Sequence, residues 1–371
     1  MESSNSILKT KKPQKEKSSI VTVQFKLLLT PEQKTLLQNS ANEYIRCVNE
    51  LVALLNTAAE IPKLSSSNVS ALLPSAVKNE AINAAKSVIN KFKRGTCESL
   101  PILKKPVISW NNQNFKISEN SLSFPLMVSG KSTRILVSAV FSDYQISLLQ
   151  NKLGSLRITK KGGKWIAQVA VEMPQAEPAG NSAMGVDLGL KIPAVAVTDK
   201  GNLKFVGNGR QNKYMKRKFR AKRKALGKAK KQKAINKLSN KEQRWMKDQD
   251  HKVSREIVNF AKANEVSEIR IEQLQNIRNT ARTSRKNEKN LHTWSFYRLA
   301  LFITYKATLY GIKVMLVDPK YTSQTCPACG NRNKANDRRY KCKCGFMSHR
   351  DRVGATNILN APVISGKRKP A

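Results

Sequence analysis

The 371-residue chain carries 68 Lys and Arg against 25 Asp and Glu, a formal charge of +43 at neutral pH, while 40% of its residues are hydrophobic. Such a length supports two or three compact units, and the hydrophobic share excludes a wholly disordered basic tail. An excess of one sign this large repels itself unless a polyanion neutralises it, which points to nucleic acid; a membrane surface is the poorer partner, because no amphipathic or lipidated element is found.

Along the chain, residues 1–19 read as a disordered basic tail without the apolar segment of a signal peptide. Alternation over 20–29 predicts a strand, and Thr30-Pro31-Glu32-Gln33 then supplies an N-cap, a first-turn proline and a capping-box glutamine. Helical spacing of Leu36, Leu37, Ala41, Tyr44, Ile45, Val48, Leu51 and Leu54 predicts one helix, and residues 76–92 a second; together they look like an insertion. From 101 to 173 the pattern turns to short alternating runs, with a hairpin at Gly162-Gly163, and predicts a small β-barrel or sandwich. The composition of 174–182 marks a linker, after which residues 184–197, 203–206, 267–271 and 312–317 read as successive strands of an α/β domain with helices between.

Between those strands, residues 210–241 hold fifteen Lys or Arg and no acid. A solvated helix ordinarily mixes signs to avoid repulsion at i and i+4, so one or two long helices facing a phosphate backbone are expected, with Lys216, Arg217, Lys218, Arg220, Lys222 and Arg223 as the contacts. No stretch approaches the ~18 apolar residues of a membrane span, so a cytoplasmic, nucleoid-associated protein with no membrane partner is predicted.

Three acids stand out. Met184-Gly185-Val186-Asp187-Leu188-Gly189 sets one carboxylate in an apolar strand, where it either meets a cation or caps a neighbouring turn. Glu272 ends another strand, as a site residue or as an ordinary surface acid. Asp351, in HRDRVGATNIL, precedes a small-residue face suited to helix–sheet packing and is either a third ligand or a helix N-terminal acid. Gathered together, three carboxylates are hard oxygen donors suited to Mg²⁺ or Mn²⁺. The cysteines give a stronger signal: Cys326-Pro-Ala-Cys329 and, after twelve intervening residues, Cys342-Lys-Cys344-Gly form two knuckles, read as a closed Zn²⁺ site because the residues between are too polar for core. His251 and His292 have no partner ligand nearby and read as structural or RNA-contacting.

Taken together, GVDLG, the strand ending in Glu272, Tyr321-Thr322-Ser323 before CPACG, and RDRVGATNI resemble the TnpB family over residues 185–359; His251-Lys252 with Ser254, and Trp294, Phe296, Leu299, Tyr305-Lys306 and Gly311, are lesser shared features. The resemblance implies an α+β multidomain protein. In that plan a β-barrel (20–30 and 97–178) carries an inserted helical recognition domain (31–96). An RNase H-like RuvC α/β domain (183–320 and 348–362) follows, interrupted by a zinc-binding segment (321–347), and a basic tail closes the chain at 363–371. It further implies an RNA-guided DNA endonuclease associated with a transposon, with Asp187, Glu272 and Asp351 as catalytic metal ligands. Its partners would be a guide RNA from the transposon end and a double-stranded DNA target bearing a short adjacent motif. The chain departs from the family's pattern in its Cys-x-Cys second knuckle and in Gln273 after Glu272. Rival readings are a compact type V CRISPR effector, a nuclease-inactive RNA-guided repressor, and an unguided resolvase or zinc-ribbon binder.

Overall fold

The computed structural model describes residues 19–364, except 59, 61, 175, 178, 179, 239, 275–294 and 336. His292 and Trp294, the tail up to residue 18 and the tail from 365 lie outside the described residues. The chain divides into two compact units, 20–173 and the remainder.

The first unit begins with β1 (Ser19–Leu28), which runs into α1 (Pro31–Thr57). The helix starts at Thr30, whose Oγ1 accepts from the amide of Gln33 at 3.2 Å while Gln33 Oε1 accepts from the amide of Thr30 at 3.1 Å. This reciprocal pair satisfies two donors that a helix N-terminus otherwise leaves bare. Leu37, Ala41, Tyr44, Val48, Leu51 and Leu55, spaced three or four apart, bury one face of α1 against α2 (Ser75–Lys93).

Six more strands follow: β2 (Val107–Trp110), β3 (Lys116–Ser118), β4 (Ser121–Val128), β5 (Lys131–Val140), and, after the short α3 (Asp143–Leu149), β6 (Lys152–Lys161) and β7 (Lys164–Met173). They form one seven-stranded sheet in the order β2-β6-β7-β1-β5-β4-β3. Where the sequence predicts a small β-barrel or sandwich, the sheet is a curled half-barrel with β2 and β3 at its edges. Closure is not needed to bury its apolar face, because α1 and α2 pack against it and share one continuous core with it, from Phe25 and Leu37 through Ile89 to Trp110, Phe124 and Val169.

In the second unit, β8 (Ser182–Leu188), β9 (Ala194–Thr198), β10 (Leu203–Val206), β11 (Val266–Glu272) and β12 (Lys313–Val317) form a five-stranded sheet ordered β10-β9-β8-β11-β12. The segment 184–197, read as one strand, is two antiparallel ones, since Gly189 and Pro193 bracket a reversal closed by the Gly189 amide donating to the Pro193 carbonyl at 3.3 Å. β8, β11 and β12 are parallel. Between β10 and β11 lie α4 (Gly209–Lys228), α5 (Gln232–Leu238) and α6 (Lys241–Ala263); α7 (Phe296–Thr308) precedes β12. Met184 and Val186 of β8 share a core with Val253 and Ile257 of α6 and with Leu299 and Ile303 of α7. The chain then forms a small hairpin, β13 (Arg339–Lys341) and β14 (Met347–His349), which runs directly into α8 (Arg350–Asn360). Among the described residues no helix is long and apolar enough to cross a membrane.

Candidate functional site

Alternation along β8 decides where Asp187 points. Met184 and Val186 face the core shared with α6 and α7, so Gly185 and Asp187 lie on the opposite face, against α8. The contact there is tight: a Cβ on Gly185 would sit 2.1 Å from the Ala355 carbonyl and 2.6 Å from the Leu359 amide, and a Cβ on Gly354 would sit 2.8 Å from Asp187 Oδ2. Glycine at both positions lets helix and strand close until the Asp187 carboxylate abuts the first turns of α8. There Asp351 lies buried, one residue past the start of the helix. Glu272 comes from the neighbouring parallel strand, one position beyond the paired residues Ile271 and Val186.

The electrostatics follow from this crowding. Burial, reinforced by repulsion from Glu272 and Asp351 and opposed by Arg350 and Arg338, pushes the Asp187 carboxyl from its ordinary 3.8 up to about 8. Burial also raises Glu272, against a hydrogen bond from the Thr322 hydroxyl, which holds one of its oxygens. Arg338, just ahead of β13, grips both oxygens of Asp351. An acid held close to neutrality by burial and by neighbouring acids gains nothing for stability, and a divalent cation would remove the repulsion. The donor set is all oxygen and fits Mg²⁺ or Mn²⁺ in kind. Among the described residues the three carboxylates do not make a compact ligand group as the cysteines do, and Asp351 is held by Arg338.

The four cysteines do converge. Among the described residues they are the one group of potential ligands whose atoms all lie within 4.8 Å of one another. Cys326 and Cys344 Sγ are 3.8 Å apart, Cys329 and Cys342 Sγ 3.5 Å. Four sulfurs at about 2.3 Å from a tetrahedral ion are separated by about 3.8 Å, so the shortened Cys342-x-Cys344 knuckle still presents both thiols correctly. The amide of Cys344, helped by the neighbouring thiols, lowers the Cys342 thiol while the same thiol contacts raise Cys329, and Asn333 Nδ2 donates to the Cys342 sulfur at 3.0 Å. A thiol that ionises readily is suited to metal binding.

On α4, Arg217, Lys218, Arg220 and Lys222 are exposed. Lys216 and Arg223 turn toward α6: Arg223 bonds Glu242 at 2.5 Å, and burial lowers the Lys216 ammonium, opposed by Glu242 and Asp250. His251 stacks on Phe302 with ring centroids 4.0 Å apart and is pushed down to about 4 by burial, with the nearby cations Lys306 and Lys247 adding to the shift. It is a neutral packing group. Sequence reasoning did not assign Thr322 or Arg338 any role; both reach their acids across distances in sequence that no local pattern reveals.

Two family models match the chain: "Probable transposase" over residues 167–278 and "Cas12f1-like, TNB domain" over 296–358. Among curated proteins, a Cas12f1 endodeoxyribonuclease of Sulfoacidibacillus thermotolerans is 27% identical over 73% of this chain and 65% of its own length. A TnpB-like protein, MJ0751, of Methanocaldococcus jannaschii is 30% identical over 34% and 46%. The chain spans about half to two thirds of the length of the Cas12f1 relatives it matches. A solved Cas12f1-sgRNA-target DNA complex shares its fold, with a TM-score of 0.64 at 17% identity, covering 88% of this chain and 82% of that one. The resemblance to the TnpB family read from the motifs is thus borne out.

Proposed function

Kin to the TnpB-like and Cas12f1 proteins, the chain is, we propose, an RNA-guided, metal-dependent DNA endonuclease associated with a transposon. The observation that carries this reading is Asp187, a carboxyl on an apolar strand raised to about 8 by burial beside Glu272 and Asp351. The sheet order β10-β9-β8-β11-β12, with Asp187 and Glu272 on adjacent central strands and α8 laid against β8, supports an RNase H-like, RuvC-type domain. Residues 321–347 would be its inserted zinc segment, with Cys326, Cys329, Cys342 and Cys344 as ligands.

In this reading Asp187, Glu272 and Asp351 hold Mg²⁺ or Mn²⁺, which when bound supplies an activated water and charge stabilisation for the departing oxygen of a phosphodiester. The chain's own residues do the positioning. Thr322 orients Glu272, Gly354 leaves room beside Asp187, and Arg338 and Arg350 bring positive charge to a place where anionic phosphate must enter. The exposed cations of α4 offer a track for a phosphate backbone. Guide RNA and double-stranded target DNA are the proposed partners, and the Cas12f1 relatives favour a second source for the guide, a CRISPR array.

Two measurements test the proposal together. The complex purified from cells expressing the gene with its flanking DNA is expected to contain one dominant structured RNA, which sequencing identifies. That complex cuts a matching target, and Asp187→Ala abolishes cutting while leaving RNA and target binding intact. A heterogeneous RNA smear, or full cutting by the variant, would overturn the guided or the catalytic half respectively.

A further inference from the structure

Tyr321 is the residue whose conformation nothing in the fold's own stability explains. Its φ is +59°, the left-handed region that a bulky side chain seldom adopts, and yet its ring stands 47% exposed. The backbone is locked there: the Tyr321 carbonyl accepts from the amides of Gln324 and Thr325 at 2.9 and 3.0 Å and from the Thr325 hydroxyl at 3.1 Å. The Arg332 guanidinium lies over the ring at 3.7 Å from its centroid. Arg332 is held by an isolated β-bridge to Thr325, itself adjoining Cys326, and among the described residues no carboxylate pairs with it. A surface-exposed cation–π contact is a weak reason to keep an aromatic residue in a strained backbone.

The next residue explains the placement. Thr322 is buried and its hydroxyl donates to Glu272, while Asn357 of α8 donates to the carbonyls of Thr322 and Thr325 at 2.6 and 2.7 Å. The aromatic ring and its guanidinium are therefore fixed, through one residue, to an acid of the carboxylate centre. A flat ring backed by a cation that no described carboxylate pairs with, and open to solvent, has the chemistry of a base-stacking platform. We infer that the Tyr321–Arg332 pair is a stacking site for an unpaired nucleobase of the DNA strand presented to Asp187, Glu272 and Asp351. This rests on reading those acids as a nuclease centre, beside which a strand must be unpaired and held. Tyr321 is a positioning residue: it sets which phosphodiester reaches the carboxylates and takes no part in bond breaking.

The test uses the full protein–RNA complex carrying Asp187→Ala, so that nothing is cut, and a single-stranded oligodeoxynucleotide containing 2-aminopurine, whose fluorescence falls on stacking. Binding quenches the probe. Tyr321→Gly keeps the positive φ while removing the ring; it abolishes the quench and weakens binding by about 5- to 100-fold. Tyr321→Trp restores both, and Arg332→Gln weakens binding with part of the quench retained. In the cutting complex Tyr321→Gly raises KM and spreads the cut over neighbouring phosphodiesters. Parent-like binding and quenching in both Tyr321→Gly and Arg332→Gln overturn the inference, and equal competition by an RNA oligonucleotide of the same sequence overturns its assignment to DNA. A complex that quenches but never cuts overturns the nuclease reading and leaves the stacking site standing.

Discussion

The Asp187 carboxyl opposes the fold that holds it. Between its ordinary 3.8 and its folded value of about 8, the folded protein keeps a proton that the unfolded chain has released. Stability of the metal-free protein therefore falls as pH rises through that interval. Asp187→Asn has no such proton, so thermal unfolding followed from pH 4 to 8 is expected to show the parent losing ground steadily to the variant; parallel curves would sink the assignment of the burden to Asp187. Gly354 makes a second test of the same contact. Alanine in a helix interior stabilises by up to about 1 kcal/mol over glycine, but here its Cβ would sit 2.8 Å from Asp187 Oδ2. Gly354→Ala should leave the unfolding midpoint almost unchanged while cutting the cleavage rate at least tenfold, and a variant that cuts like the parent would show that the carboxylate can move aside. The acids themselves were legible in the sequence, because a carboxylate in an apolar strand is costly enough to demand a reason. Their supporting contacts were not: Thr322 meets Glu272 across fifty residues of chain, and Arg338 reaches Asp351 from the far side of a knuckle.

At the scale of elements, legibility depended on how much local pattern each one carries. α1 announced itself through its capping box and its apolar stripe, whereas β2 is four residues, VISW, too short to show a period, and α3 rests on one cap at Ser142. The break between β8 and β9 was signalled by Gly189 and Pro193, yet the apolar residues on either side masked it. The basic run was read correctly as helical, but only tertiary packing shows that Lys216 and Arg223 are committed to α6 while Arg217, Lys218, Arg220 and Lys222 remain outward. The hairpin β13–β14 has a consequence beyond its size. Its second strand continues without a loop into α8, so the cysteine cluster that closes the hairpin also sets the position of Asp351. Cys344→Ser, which removes one of four thiols and touches no acid, is expected to release bound metal and to depress cleavage together. Metal content by mass spectrometry and cleavage rate on the same preparation check this; full cutting by a metal-depleted variant would uncouple hairpin from acid.

The whole molecule is governed by its charge. At +43 the free protein is held together against its own repulsion, and each of its units must bury enough apolar surface to do so. Added salt shortens the reach of that repulsion, with a Debye length of about 10 Å at 0.1 M, so the unfolding midpoint of the RNA-free protein should rise with salt. The complex should respond in the opposite sense. Binding of the proposed guide RNA would neutralise the same cations and release condensed counterions, a gain that shrinks as salt rises, so affinity should fall linearly on a logarithmic plot with a slope near −0.9 per phosphate contacted for a duplex. At low salt RNA therefore raises the unfolding midpoint greatly by mass action, and at high salt the two midpoints converge from opposite directions. Calorimetry on free and RNA-bound protein across a salt series reads both trends in one experiment. Converging midpoints mean that the charge is spread over the surface that RNA covers; a free-protein midpoint indifferent to salt would mean that the fold already offsets its excess charge locally, leaving the exposed face of α4 to account for binding.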